Sequence, residues 1–293
     1  MNDIPVIWAF GNRGDRCHGI LESMFAGDAW PTWLTFTHYT GLEAAGWDVQ
    51  GAVVVVSAGV QRDYAGEIAT ALNRLDWSLV ILSADEESRF SWRSVLGPNR
   101  KIWWQMPAGD KTAGVDRKFP IGYPTGTRDL LRKASPTRPE AARRYPWSFL
   151  GQMQHEQRRM CIEVLGHRKD GGSVSRTAGF SQGYPKDEFL KRLAESYIAP
   201  CPAGMYTTDC FREWESIEAG CLPVCDRRLH SQAKDYDYWA DLLGCQPPFP
   251  VITDWREFNA IADRYAKDPA TRQHDANRVG AWWIGYKRSL VKW

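Results

Sequence analysis

Short apolar runs alternate with amphipathic stretches along most of this chain. IPVIWAF (4–10) ends at Gly11-Asn12-Arg13-Gly14, a strand followed by a turn. GAVVVVSAG (51–59) is β-branched and continuously apolar, the pattern of a strand buried on both faces. Tyr64, Ile68, Leu72 and Leu75 then recur at helical spacing behind Asp63, an expected N-cap. SLVILSADEE (78–87) reads as a second buried strand running into a carboxylate-rich loop, and KIWWQMP (101–107) as another strand. Strand, helix and strand joined this closely form a βαβ unit, which implies a parallel sheet.

The pattern breaks between Tyr123 and Pro146, where four prolines and six basic residues stand against two acidic ones. This segment reads as a linker. The alternation then restarts. WSFLGQ (147–152) is a strand, followed by a helix through Arg158, Arg159, Ile162 and Leu165. DGGSVSRTAGFSQGYP reads as a glycine-rich loop, and Phe189, Leu190, Leu193, Ala194 and Tyr197 mark the next helix. YIAPCPAG is a strand entering a loop, and helix 210–219 buries Phe211, Trp214 and Ile217 before Gly220. CLPVC is a strand. After FPVITDW, Asp254 and Glu257 frame a capping-box-like start to a helix carrying Phe258, Ile261, Ala262 and Tyr265. The expected organisation is two α/β domains, residues 1–145 and 146–272, with a tail (273–293) packing back on the first.

Composition narrows the class. The 293 residues are 43% hydrophobic and 25% charged, which excludes a disordered or collagen-like chain. The net charge of +2 gives no global attraction to polyanions. No apolar run reaches the roughly 20 residues that span a bilayer, and the first residues lack a basic leader and cleavage site. A cytoplasmic protein is expected, bacterial or phage-encoded in a host cytoplasm. Seven cysteines, odd in number and without C-x-x-C spacing, favour reduced thiols over disulfides or a zinc site.

The window 196–226 concentrates the candidate chemistry. A strand delivers Cys201-Pro202-Ala203-Gly204 to the carboxyl edge of its sheet, where ligands bind in open parallel sheets, and Gly204 allows close backbone approach. Thr207, Thr208 and Asp209 are competent N-caps for the next helix. Arg212 falls in its first turn, where a cation opposes the helix dipole unless an anion is bound nearby. Glu215 lies three residues on. Two readings fit this spacing equally: a nucleotide diphosphate with Arg212 on phosphate and Glu215 on ribose hydroxyls, or a local ion pair of Arg212 with Glu213 or Glu215.

The ordered set Ser196, Cys201-Pro202-Ala203-Gly204, Arg212, Glu215-Ser216, Gly220 and Pro223-Val224 resembles the signature of the exostosin-like glycosyltransferases (glycosyltransferase family 47). FLGQ before Arg158-Arg159, FPIGY (119–123) and TAGF (177–180) add weaker matches, and the resemblance covers roughly 146–265. It implies a GT-B architecture of two facing Rossmann-like domains with parallel sheets, the C-terminal one holding the sugar nucleotide. It also implies an inverting, metal-independent transfer of a hexosyl or pentosyl group. No cofactor is then expected beyond the nucleotide-sugar donor, for which UDP-sugar is the family default. By motif match, Arg212 contacts the diphosphate, Glu215 the ribose, and Arg158 or Arg159 supplies a second phosphate contact. Gly204, Thr208 and Asp209 complete the expected donor site.

Inversion requires a general base, expected from the first domain. Asp85, Glu86 and Glu87 follow a strand end and lead the candidates, with Asp15 and His38 as rivals. The acceptor is a saccharide or a hydroxymethylated base in phage DNA; Arg132, Lys133, Arg143 and Arg144 in the basic segment would suit either, and a phosphate backbone in particular. Asp235-Tyr236-Asp237 has metal-binding D-x-D spacing but follows a polar stretch and reads as a solvated turn. The Trp pairs 103-104 and 282-283 read as packing before sugar stacking. The alternatives are an epimerase or phosphorylase on the same fold, or a non-catalytic nucleic-acid-binding module.

Overall fold

A computed structural model describes residues 6–9, 51–83, 92–106, 114–134, 143–177, 179 and 183–290. The chain divides into two compact units, Met1–Ile121 and Gly122–Trp293. It is an α/β protein with one parallel five-stranded sheet in each.

In the first unit the order is sequential: β1 (Val6–Ala9), β2 (Ala52–Val56), β3 (Ser78–Leu82), β4 (Arg100–Gln105) and β5 (Arg117–Phe119). The two valine- and leucine-rich strands β2 and β3 are buried along their whole length, as their uninterrupted apolar sequence requires. Helix α1 (Ala58–Leu72) packs Ile68 and Leu72 onto Val54 and Val80, and α2 (Trp92–Val95) adds Trp92. The helix begins before Asp63: its N-cap is Ser57, and the expected start coincides instead with a break in helical geometry at Tyr64 (φ −136°, ψ 22°). Trp103 and Trp104 are buried in β4, so this Trp pair serves packing.

The second unit begins with α3 (Thr127–Ala134), so part of the expected linker is helical. The Pro124 carbonyl accepts the Thr127 hydroxyl, Leu131 is buried, and the helix packs on the later helix Lys186–Ala194. The strands are β6 (Tyr145–Gln152), β7 (Ser173–Thr177), β8 (Ser196–Cys201), β9 (Leu222–Asp226) and β10 (Val251–Ile252), in the order β10-β9-β8-β6-β7. The helices are α4 (Glu156–Gly166), α5 (Lys186–Ala194), α6 (Phe211–Glu218), α7 (Tyr238–Leu243), α8 (Glu257–Lys267) and α9 (Pro269–Leu290). Strand β7 corrects the glycine-rich-loop expectation for this stretch. It is a polar edge strand paired only with β6, so no apolar alternation betrays it.

The chain runs outward from β6 to β7, then back across β6 to β8 and on to β9. Right-handed crossovers therefore put α4 on one face and α5 and α6 on the other. The order of the strands reverses between β6 and β8, and in open parallel sheets the crevice for a ligand lies beyond the carboxyl ends at such a point. Beneath it, Trp214 of α6 stacks on Trp283 of α9 with ring centroids 4.5 Å apart, and Trp239 and Phe249 meet Trp214 edge-on. The tail is thus a 22-residue helix anchored on α6 and β9 of its own unit.

Candidate functional site

Three helices start at the carboxyl edge of the second sheet, and each has a cation in its first turn: Arg158 in α4, Lys186 in α5 and Arg212 in α6. The dipole of each helix opposes that placement. Arg158 and Arg212 are also buried, each only 8% exposed. Among the described residues neither is in an ion pair. Arg158 donates Nε to the Ala203 carbonyl at 3.2 Å, and Arg212 donates Nη2 to the Leu150 carbonyl at 2.8 Å. Burial, and then the neighbouring Arg212 charge, hold the Arg158 guanidinium below its ordinary pKa. The two cations are buried side by side without a direct ion pair, although the Glu213 and Glu215 carboxyls act on Arg212, and an anion between them would complete the site.

Backbone geometry shapes the same crevice. A Cβ on Gly151, at the end of β6, would lie 2.4 Å from Arg212 Nη2, so glycine there makes room for the guanidinium over the Phe149 ring. A Cβ on Gly204 would lie 2.8 Å from the Thr207 carbonyl, so that loop folds back on itself at the closest approach a backbone permits. Asp226 at the end of β9 accepts the Ala203 N–H at 2.8 Å and ties the loop to the sheet; burial pushes its carboxyl up to about 6.

The N-cap of α6 is Cys210, which corrects the expectation that Thr207, Thr208 or Asp209 would serve. The Glu213 side chain reaches back to the Cys210 N–H at 3.1 Å, completing a capping box. The expected caps take other places: Asp209 accepts the Trp214 indole N–H at 2.5 Å, while Thr208 is fully buried with its hydroxyl unpartnered. Glu215 is 6% exposed, and its side chain makes no hydrogen bond among the described residues. Burial pushes its carboxyl up to about 7, against the pull of Lys186 and Arg212. Arg212 makes no direct ion pair with Glu213 or Glu215 among the described residues; its guanidinium donates to the Leu150 carbonyl instead.

Other expected residues lie apart. Arg159 is exposed, so of the two adjacent arginines it is Arg158 that enters the crevice. Arg143 donates to the Ser196 and Ala219 carbonyls and braces Gly220 from beneath, whereas Arg144 is exposed over the Tyr145 ring. Arg132 pairs with Asp129 and Lys133 is exposed, both on the solvent side of α3. Asp237 caps α7 by accepting the Ala240 N–H, so the D-x-D stretch is a helix start. The base candidates Asp15, His38, Asp85, Glu86 and Glu87 lie outside the described residues. Among the described residues no cluster of His, Cys, Asp or Glu is spaced to hold a metal ion, and no helix is long and apolar enough to cross a membrane.

Several crevice residues escaped the sequence reading. Gln152 Oε1 at the end of β6 and His155 Nε2 just after it are buried without a partner, as are Thr208 Oγ1, Arg212 Nε and Glu213 Oε1 around the start of α6. Native interiors satisfy nearly all such atoms, and a polar ligand bound at these segments would supply partners. Lys186 also joins the site through its proximity to Glu215.

Comparison with known proteins agrees on this half of the chain. The sequence profile described as the RXYLT1 C-terminal domain matches residues 130–292. The chain belongs to this family. It is also 23% identical over 188 residues to ribitol-5-phosphate xylosyltransferase 1 of Mus musculus, a match covering 60% of this chain and 42% of that relative. The matched span contains most of α3 and the whole sheet of the second unit, and it includes Arg158, Lys186, Arg212 and Glu215.

Proposed function

We propose that the protein is a glycosyltransferase whose second unit binds a nucleotide-diphosphate sugar in the crevice between β6 and β8. The carrying observation is the pair of buried guanidiniums, Arg158 and Arg212, adjacent at the sheet's switch point and in no direct ion pair among the described residues. The xylosyltransferase named among its relatives supports sugar transfer as the chemistry.

In this reading the diphosphate lies between Arg158 and Arg212, and the two cations stabilise the charge that builds on it as it leaves. Glu215, three residues along α6, accepts the ribose hydroxyls. A hydroxyl of the acceptor attacks the anomeric carbon as the bond to the diphosphate oxygen breaks. The hydroxyl proton passes to a base, and the configuration at the anomeric carbon inverts. The GT-B reading assigns that base to the first unit. UDP is the proposed nucleotide and a saccharide the proposed acceptor; the near-neutral net charge favours it over DNA.

Incubating the protein with UDP-xylose or UDP-glucose and a panel of saccharide acceptors, and measuring UDP released, tests the activity. Release that depends on acceptor and disappears in Arg212→Ala is expected. Release unchanged in Arg212→Ala would refute the assignment of this crevice.

A further inference from the structure

Three consecutive residues of β6 meet the Arg212 guanidinium, each in a different way. The Phe149 ring faces it, with the guanidinium carbon 4.8 Å from the ring centroid. The Leu150 carbonyl accepts Nη2 at 2.8 Å. Gly151 leaves open the space where a Cβ would lie 2.4 Å from Nη2, 3.4 Å from the guanidinium carbon and 3.2 Å from the Phe149 ring. Phe149 and Gly151 stand two apart on a strand, so their side-chain positions share one face of the sheet. The guanidinium is laid along that face.

Hydrogen bonds do not by themselves hold it there. The Leu150 bond uses one of five N–H groups, and the contact of Nη1 with the Cys210 sulfur is long, at 4.0 Å. One good hydrogen bond fixes a point of the guanidinium and leaves its plane free to swing. The face of an aromatic ring carries the negative side of its quadrupole and attracts a cation, most strongly where water is excluded. Phe149 is fully buried and Arg212 is 8% exposed. A leucine or methionine would fill this space as well, but only an aromatic ring attracts the charge.

We propose that Phe149 is a positioning residue whose ring holds the Arg212 guanidinium in the orientation that binds the diphosphate. This rests on the donor-site reading above. Being fully buried, the ring acts through Arg212 and not on the ligand. It raises the fraction of molecules in which the guanidinium is already in place, and apparent affinity scales with that fraction.

Phe149 also belongs to the core, so Phe149→Leu alone would mix packing with charge. The test therefore puts mono-, di- and trifluorinated phenylalanine in place of Phe149 in the full chain, which weakens the negative ring face stepwise with little change in volume. UDP affinity is measured by calorimetric titration, with Phe149→Leu and Arg212→Ala alongside and thermal melts of every protein. Affinity should fall at each step, about three- to tenfold in all for the trifluorinated ring, while melting temperatures stay at the wild-type value. Phe149→Leu should lose about tenfold or more. Constant UDP affinity across the fluorinated series would overturn the proposal, because a ring that only packs is indifferent to its quadrupole. A loss of affinity seen only where the melting temperature falls with it would overturn it too. Failure of the wild type to bind UDP, or undiminished binding in Arg212→Ala, would instead strike the donor-site reading on which it rests.

Discussion

Glu215 is a carboxyl group whose position folding alone does not favour. Buried without a hydrogen bond and raised to about 7, it binds a proton more tightly in the folded chain than in the unfolded one, where its pKa is near 4.5. Stability contributed by this group is therefore full at low pH and falls as pH rises from about 4.5 through 7. At pH 8 the cost is about 3 kcal/mol. Glu215→Gln should raise the melting temperature by roughly 5 °C at pH 8 and by almost nothing at pH 5, while weakening UDP binding. A melting temperature unchanged at pH 8 would mean that the carboxylate is already satisfied. Gly151 gives a second residue-scale expectation. Gly151→Ala keeps both arginines yet drives Cβ into Arg212 Nη2, so UDP affinity should fall tenfold or more with little loss of stability. Unaltered affinity would show that Arg212 does not need its present position. At this scale Arg212, Glu215 and Gly204 were legible, because a cation in a helix's first turn and a glycine at a strand end are local violations of ordinary preference. His155, Lys186 and Gln152 were not, because their roles come from neighbours far away in sequence.

Helix α6 carries Arg212 and Glu215, and its far end is anchored by Glu218. That carboxylate accepts the Trp283 indole N–H at 2.7 Å and the Lys287 ammonium, both from α9, with Arg128 of α3 at 3.5 Å. Burial holds the Lys287 ammonium below its ordinary pKa despite Glu218. Removing Glu218 leaves that ammonium buried and unpaired, so Glu218→Ala should destabilise by about 3 kcal/mol in urea titration. Adding Lys287→Met should recover at least half of that loss, since the orphaned charge goes with it. Additive losses would show that the pair is not coupled. The elements differ in how plainly the sequence displays them. Strands β2, β3, β8 and β9 are buried on both faces and announce themselves as apolar runs. Strand β7 lies at an edge and α3 sits among prolines and arginines; both are held by packing against partners that no local pattern records.

For the molecule as a whole, the order β10-β9-β8-β6-β7 decides where a ligand belongs. Among the described strands the sheet of the first unit is sequential, with no point of reversal; that of the second unit has one, and the helices that begin beside it carry the buried cations Arg158 and Arg212. The sequence showed the alternation of strands and helices and hence two parallel sheets, but strand order depends on long-range pairing that alternation does not encode. The window resembling exostosin-like glycosyltransferases falls within residues 130–292, the span that the family of the RXYLT1 C-terminal domain matches. Donor binding at this crevice is the central claim. Calorimetric titration with UDP of the wild-type protein and Arg212→Ala addresses it most directly. Saturable binding in the wild type that weakens at least a hundredfold in a folded Arg212→Ala variant is the predicted result. Equal affinity in both proteins, or no binding of UDP, GDP, ADP or dTDP by the wild type, would contradict it.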